Sequence, residues 1–134
     1  MRRLASFVLA SAVVLAAGPG GAADDAAGAF VCGFVDVFDC SAGDCVEMQS
    51  EIVRVPDVLR IDPAAKTMTA LDKEFGGASS PVDSIATEDG RTMVRAKQGD
   101  RSFVLSVEAT SGDAILAVTD AKLSLVAYGE CAAP

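Results

Sequence analysis

The chain has no histidine, no tryptophan and a single tyrosine among its 134 residues. Without histidine it lacks the side chain that most often serves as a general base near neutral pH and as a metal ligand. It has no Cys-x-x-Cys pair either, which removes the thioredoxin-type redox motif and the common zinc spacings. Serine-hydrolase motifs are missing, and no spacing among the 19 acids picks out a carboxylate pair suited to glycoside hydrolysis. No catalytic residue or cofactor is therefore implied, and the expectation is a protein that is not an enzyme. Positive charge is also scarce, with 11 Lys and Arg against 19 Asp and Glu. An acidic chain without basic patches is unsuited to nucleic acid or to anionic membrane surfaces, and it favours cationic partners.

Long apolar runs are confined to the start. Met1-Arg2-Arg3 is followed by the uncharged apolar segment Leu4 to Ala17 and then by small residues from Gly18 to Ala23. This is the pattern of a secretory signal peptide, placed at residues 1–23 with cleavage after Ala23. The run is shorter than the ~20 residues needed to span a bilayer, so a retained anchor is disfavoured. Removing residues 1–23 shifts the formal charge from −8 to −10. What remains, residues 24–134, suits one domain. The expected location is the periplasm or the exterior, without membrane insertion, and the expected state is a monomer.

Four cysteines in a secreted chain read as two disulfides. Three connectivities are possible. Cys40 and Cys45 flank Ser-Ala-Gly-Asp and can close locally at a hairpin tip, which leaves Cys32 for Cys131 and would tie the chain's ends together.

From Arg91 to Cys131 the residues alternate apolar and polar between turn dipeptides. A type II′ turn at Gly99-Asp100 pairs Gln98 with Arg101, placing Ala96 opposite Phe103, Val94 opposite Leu105 and Thr92 opposite Val107. The same rule at Ser111-Gly112 sets Leu105 against Val118 and Val107 against Leu116. At Asp120-Ala121 it sets Val118 against Leu123 and Leu116 against Leu125. A type I′ turn at Asp89-Gly90 brings Ile85 opposite Val94.

Earlier in the chain, strands are expected at Phe30 to Phe38, Val46 to Val55, Val58 to Ile61, Thr67 to Leu71 and Val82 to Thr87, with one long loop from Asp72 to Pro81. Asp36 breaks the alternation of the first strand. Val53 and Val55 sit out of phase with Met48 and Ile52. About nine short strands joined by hairpins predict an all-β fold, a small antiparallel up-and-down barrel, with a two-sheet sandwich as the alternative. One tyrosine and no tryptophan supply no aromatic girdle for a membrane-spanning barrel.

Three places are candidates for binding. Arg91, Met93, Arg95 and Lys97 share the outer face of one strand and would suit a phosphate, a head group or an acidic partner, or would simply keep that face soluble. Asp36, Asp39, Asp44 and Glu47 gather near the short cysteine loop, but their spacing does not match a calcium-binding loop, and a solvated acidic rim is favoured over a metal site. The barrel interior is expected to be filled by its side chains, given the short chain, with room for one small ligand as the alternative.

The segments Val55-Pro56-Asp57-Val58-Leu59-Arg60-Ile61-Asp62, Lys66-Thr67-Met68-Thr69-Ala70, Ala109-Thr110-Ser111-Gly112-Asp113 and Val126-Ala127-Tyr128-Gly129-Glu130-Cys131 resemble those of a group of small uncharacterised secreted proteins from Gram-negative bacteria. That resemblance implies no activity and transfers no functional residue. In architecture alone, a small barrel with a disulfide near its ends is also similar to the membrane-bound C-type class of periplasmic lysozyme inhibitors. The Ser-Gly-x-x-Tyr and Lys-Gly segments of that class are absent, since Ser111-Gly112 is followed by Asp113-Ala114-Ile115. What the similarity implies is an acidic barrel engaging a cationic enzyme. Taken together, the residues predict a binding module for a protein or small ligand, or an accessory protein of the envelope. N-terminal sequencing of the protein recovered from the periplasm is expected to begin at Asp24; an N-terminus at Met1 would refute cleavage.

Overall fold

A computed structural model describes residues 28–133, so the expected signal peptide lies outside the described residues. The chain folds as nine strands: β1 (Phe30–Asp39), β2 (Val46–Met48), β3 (Val58–Asp62), β4 (Thr67–Ala70), β5 (Ser79–Glu88), β6 (Arg91–Gln98), β7 (Arg101–Glu108), β8 (Asp113–Thr119) and β9 (Ser124–Ala132). One helical turn, α1 (Ser50–Val53), lies between β2 and β3, and a 3-10 turn spans Lys73–Phe75. All pairings are antiparallel, and β1 also pairs with β9, so eight strands close into a barrel. The ninth, β2, is extra. Phe30 to Gly33 of β1 pairs with β3, and Val37 to Asp39 pairs with β2 on the same edge.

The period-two pattern sets what goes inside. On β8, Ala114, Leu116 and Val118 are buried while Asp113, Ile115 and Thr119 face out. Val94, Ala96, Leu105, Val107, Leu125 and Ala127 continue the interior, joined across the barrel by Cys32, Phe34, Leu59, Ile61 and Met68. Each Val, Leu, Ile, Phe or Met side chain among them contributes roughly 1.5–3 kcal/mol on leaving water.

The hairpin between β6 and β7 has the expected register at all eight pairs, from Arg91↔Glu108 to Gln98↔Arg101. Gly99 has φ 63°, while Asp89 and Gly90 at the preceding turn have φ 50° and 76°, as types II′ and I′ require. Ile85 meets Val94. The next two turns differ from expectation. Leu105 pairs with Leu116 and Phe103 with Val118; then Leu116 pairs with Ala127 and Val118 with Leu125. Both connections are four-residue loops rather than two-residue turns, so each register is displaced by two positions. In the first, the Gly112 N–H donates to the Glu108 carbonyl at 2.8 Å. In the second, the Asp120 carboxylate accepts the N–H groups of Lys122 and Leu123, both at 2.8 Å, which builds an Asx turn.

Three further expectations are corrected. The second strand stops at Met48, and α1 follows, ending at Arg54 in the left-handed region with φ 55°. This break is why Val53 and Val55 are out of phase with Met48. In β1 the register shifts between Phe34 and Asp36, so Val35 bulges outward and both Phe34 and Val37 point inward. The long loop is also shorter than expected, because Ser79, Ser80 and Pro81 already pair with β4.

Cys32 sits directly opposite Cys131 on β9, and the two are joined by a disulfide; a second joins Cys40 to Cys45. Beside the first bridge the strands lie so close that a Cβ on Gly129 would collide with the Gly33 carbonyl oxygen. A Cβ on Gly33 would be 4.0 Å from its nearest neighbour. Gly129→Ala is therefore expected to cost about 3 kcal/mol in urea denaturation, through forced separation of backbone, and Gly33→Ala about 1 kcal/mol or less. Equal effects of the two changes would show that the close approach is not what demands glycine.

Candidate functional site

The outer surface over the β1–β9 seam forms an open groove of about 1080 Å³. Asp36 of β1, Asp57 before β3, Asp113 of β8 and Glu130 of β9 line it, and no Lys or Arg of the described residues does. Register sets two of them, Asp113 and Glu130, directly opposite each other. Glu130 pairs with Asp113 on one side and Gly33 on the other, while Asp36 pairs with Tyr128. Like charges directly opposite each other are unfavourable in a sheet. Here the cost is not offset by a neighbouring cation in the groove. Ser111 steadies one member, its hydroxyl donating to Asp113 Oδ2 at 2.7 Å.

Apolar surface accompanies the charge. The bulged Val35 is 83% exposed, and Tyr128 and Ile115, which pair across β8 and β9, are 44% and 41% exposed. The ring of Phe38 packs edge-on against Tyr128 with centroids 5.9 Å apart, which fixes the tyrosine. Tyr128 also lines a neighbouring hollow of about 250 Å³ with Phe38, Val126 and the Cys40–Cys45 bridge. An anchoring apolar hollow thus adjoins an acidic trough.

At the barrel end near the Gly99 turn lies a second feature, a cavity of about 100 Å³ among the side chains of β3, β4, β7 and β8. Around it the described interior holds a continuous core of buried side chains.

The sequence-predicted row Arg91, Met93, Arg95 and Lys97 does run along the outside of β6. Two strands, β7 and β8, separate it from β9, and it joins neither the groove nor the cavity. Arg91 lies opposite Glu108, yet the ion pairs among the described residues are Arg60–Asp62 at 3.9 Å and Arg101–Asp120 at 3.5 Å. Of the acids near the short disulfide loop, Asp36 enters the groove, while Asp39 accepts the Ser41 N–H at 2.8 Å. Hydrogen bonds from the Ser41 side chain first, and its backbone second, hold Asp39 below the usual carboxylate range. Among the described residues no group of three or more acids or cysteines is placed to hold a metal ion. Asp57, Asp113, Glu130 and Tyr128 were not legible as a group, since they come from three separate segments. No helix of the described residues is long and apolar enough to cross a membrane.

Asp120 is also held below the ordinary range, chiefly by the Lys122 N–H, with desolvation opposing and the Leu123 N–H and Arg101 adding. A carboxylate with a lowered folded pKa stabilises fully above its unfolded value, near 4, and loses that contribution as pH falls through the folded value. The stability gap between wild type and Asp120→Asn is accordingly expected to be constant from about pH 7 to 5 and to shrink below about pH 4. A gap that widens on acidification, measured by urea denaturation, would contradict this.

No family model, curated protein or solved structure matches the chain.

Proposed function

We propose that the protein is a non-enzymatic binding module of the periplasm that docks a cationic protein partner in the groove over its β1–β9 seam. One observation carries this reading: four carboxylates from four segments line one groove, and no Lys or Arg of the described residues lines it. A field of one sign in a concave surface raises the local concentration of the opposite sign and speeds encounter. Solubility alone asks only for scattered charge. Here the charge is gathered beside exposed Val35 and Tyr128, and aromatic anchors next to charge are what protein interfaces favour. The periplasm is supported by the signal-like start and by two disulfides, which persist in oxidising compartments.

The test is affinity capture from periplasmic extract, quantified by mass spectrometry. The wild-type protein is expected to retain a basic protein at about 50 mM salt and to release it by about 300 mM, as screening shortens the reach of the groove's charge. Asp36→Asn combined with Asp113→Asn and Glu130→Gln is expected to lose that protein, whereas Arg91→Gln with Arg95→Gln keeps it. Identical captured sets for wild type and the acid-neutralised variant would refute the groove.

A further inference from the structure

The cavity at the Gly99 end has the opposite electrostatic character from the groove. Its walls are Leu59, Met68, Ala70, Phe103 and Val118, and the segment Arg54 to Pro56 and the pair Phe75 and Ala78 cover it. Its polar lining consists of Arg54, Arg101, Gln98 and Ser80, with no acid. In a chain with 19 acids and 11 bases, a lining of two arginines and no carboxylate departs from the composition. Ser80 is 7% exposed and is the one polar residue counted as buried among the described residues. Arg54 stands at this mouth as the left-handed cap that ends α1, φ 55°. Asp120 engages Arg101 from outside, Nε to Oδ2 at 3.5 Å, so the mouth keeps one positive charge in excess.

From these features we infer that the mouth binds a short-chain aliphatic monocarboxylate. The single excess positive charge matches one carboxylate, which Arg54, Arg101 and Gln98 receive as donors. The tail lies among Leu59, Met68, Ala70 and Phe103. Its length follows from volume: a cavity of ~150 Å³ holds benzene, so about 100 Å³ suits a tail of about four carbons. A ligand this small binds with a Kd between about 10 μM and 1 mM, given the free energy available per atom. This site is separate from the groove, and its fate does not decide the groove's.

The experiment is an NMR titration of the mature, disulfide-bonded protein with acetate, butyrate, pentanoate, hexanoate and octanoate, following the Met68 and Val118 methyl groups. Pentanoate is expected to saturate best, with acetate and the uncharged 1-pentanol each at least about ten-fold weaker. Ala70→Leu, which fills the cavity, is expected to abolish binding. Ala78→Leu, at an exposed position on the rim, supplies the same test if the buried change impairs folding. Arg54→Gln is expected to weaken binding about five- to ten-fold, and Arg95→Gln, on the far outer face, to leave it unchanged. The inference fails if no acid gives a saturable shift up to about 10 mM, well above the Kd range expected from ligand size. It fails equally if 1-pentanol binds as well as pentanoate, or if binding survives both cavity-filling changes.

Discussion

The contact between β1 and β9 is the constraint on which the rest of the barrel depends. These strands stand at the two ends of the described chain, and their pairing runs from Val31↔Ala132 to Asp39↔Leu125. If they part, the sheet keeps its hairpins but gains two open edges, each offering unpaired backbone groups to other chains. Nothing local can enforce this contact, because the partners are 99 residues apart in sequence. The Cys32–Cys131 bridge supplies the enforcement. In the chain-entropy account a loop of that length is worth ~4.7 kcal/mol, against ~2 kcal/mol for the short Cys40–Cys45 loop. Glycine at position 129 is the other condition, since a side chain there would hold the two backbones apart.

The same seam makes the outer groove. Close backbone approach at Gly33 and Gly129 leaves a low floor, and the bulge at Val35 turns an apolar side chain out beside it. The flanking loop 109–112 leans towards β9, where the Cys131 N–H donates to the Gly112 carbonyl at 2.8 Å. That contact sets Asp113 next to Glu130. Features that close the barrel therefore also fix the spacing of the acids. The cationic mouth rests on the Arg54–Pro56 segment and the β6–β7 turn; the first of these runs directly into Asp57 and Val58 of the groove, whereas Gln98 and Arg101 at the turn belong to the mouth and do not line the groove.

Much of the fold was legible in the sequence, and for a stated reason. Gly99 and Asp89-Gly90 demand turn types that fix the register of their hairpins: β6–β7 reads correctly residue by residue, and β5–β6 places Ile85 opposite Val94 as expected, although its register shifts between Ser84 and Val82. Asp120-Ala121 has no such demand. Its carboxylate instead captures two backbone N–H groups and lengthens the turn, a choice among hydrogen bonds that a pattern of apolar residues does not reveal. The bulge at Val35 left a trace, the broken alternation around Asp36, but a broken pattern does not say which way each side chain turns. The basic row on β6 was visible because it lies on one strand; the groove was not, because its acids come from several.

Both misread turns were displaced by an even number of residues, and this separates what the sequence carries securely from what it does not. A shift of two leaves every side chain on its original face. Leu116, Val118, Leu125 and Ala127 are therefore interior under either register, and the barrel follows from periodicity alone. Neighbours across the sheet obey no such protection. The two-residue reading would set Asp113 opposite Tyr128, whereas the four-residue Asx loop sets it opposite Glu130. The acidic pair at the centre of the groove thus exists only in the correct register. Burial constrains a sequence on average over many positions, but a binding surface is decided by which particular residues meet. In this barrel the loops at 109–112 and 120–123 make that decision, and their lengths matter more to the groove than to the core beneath it.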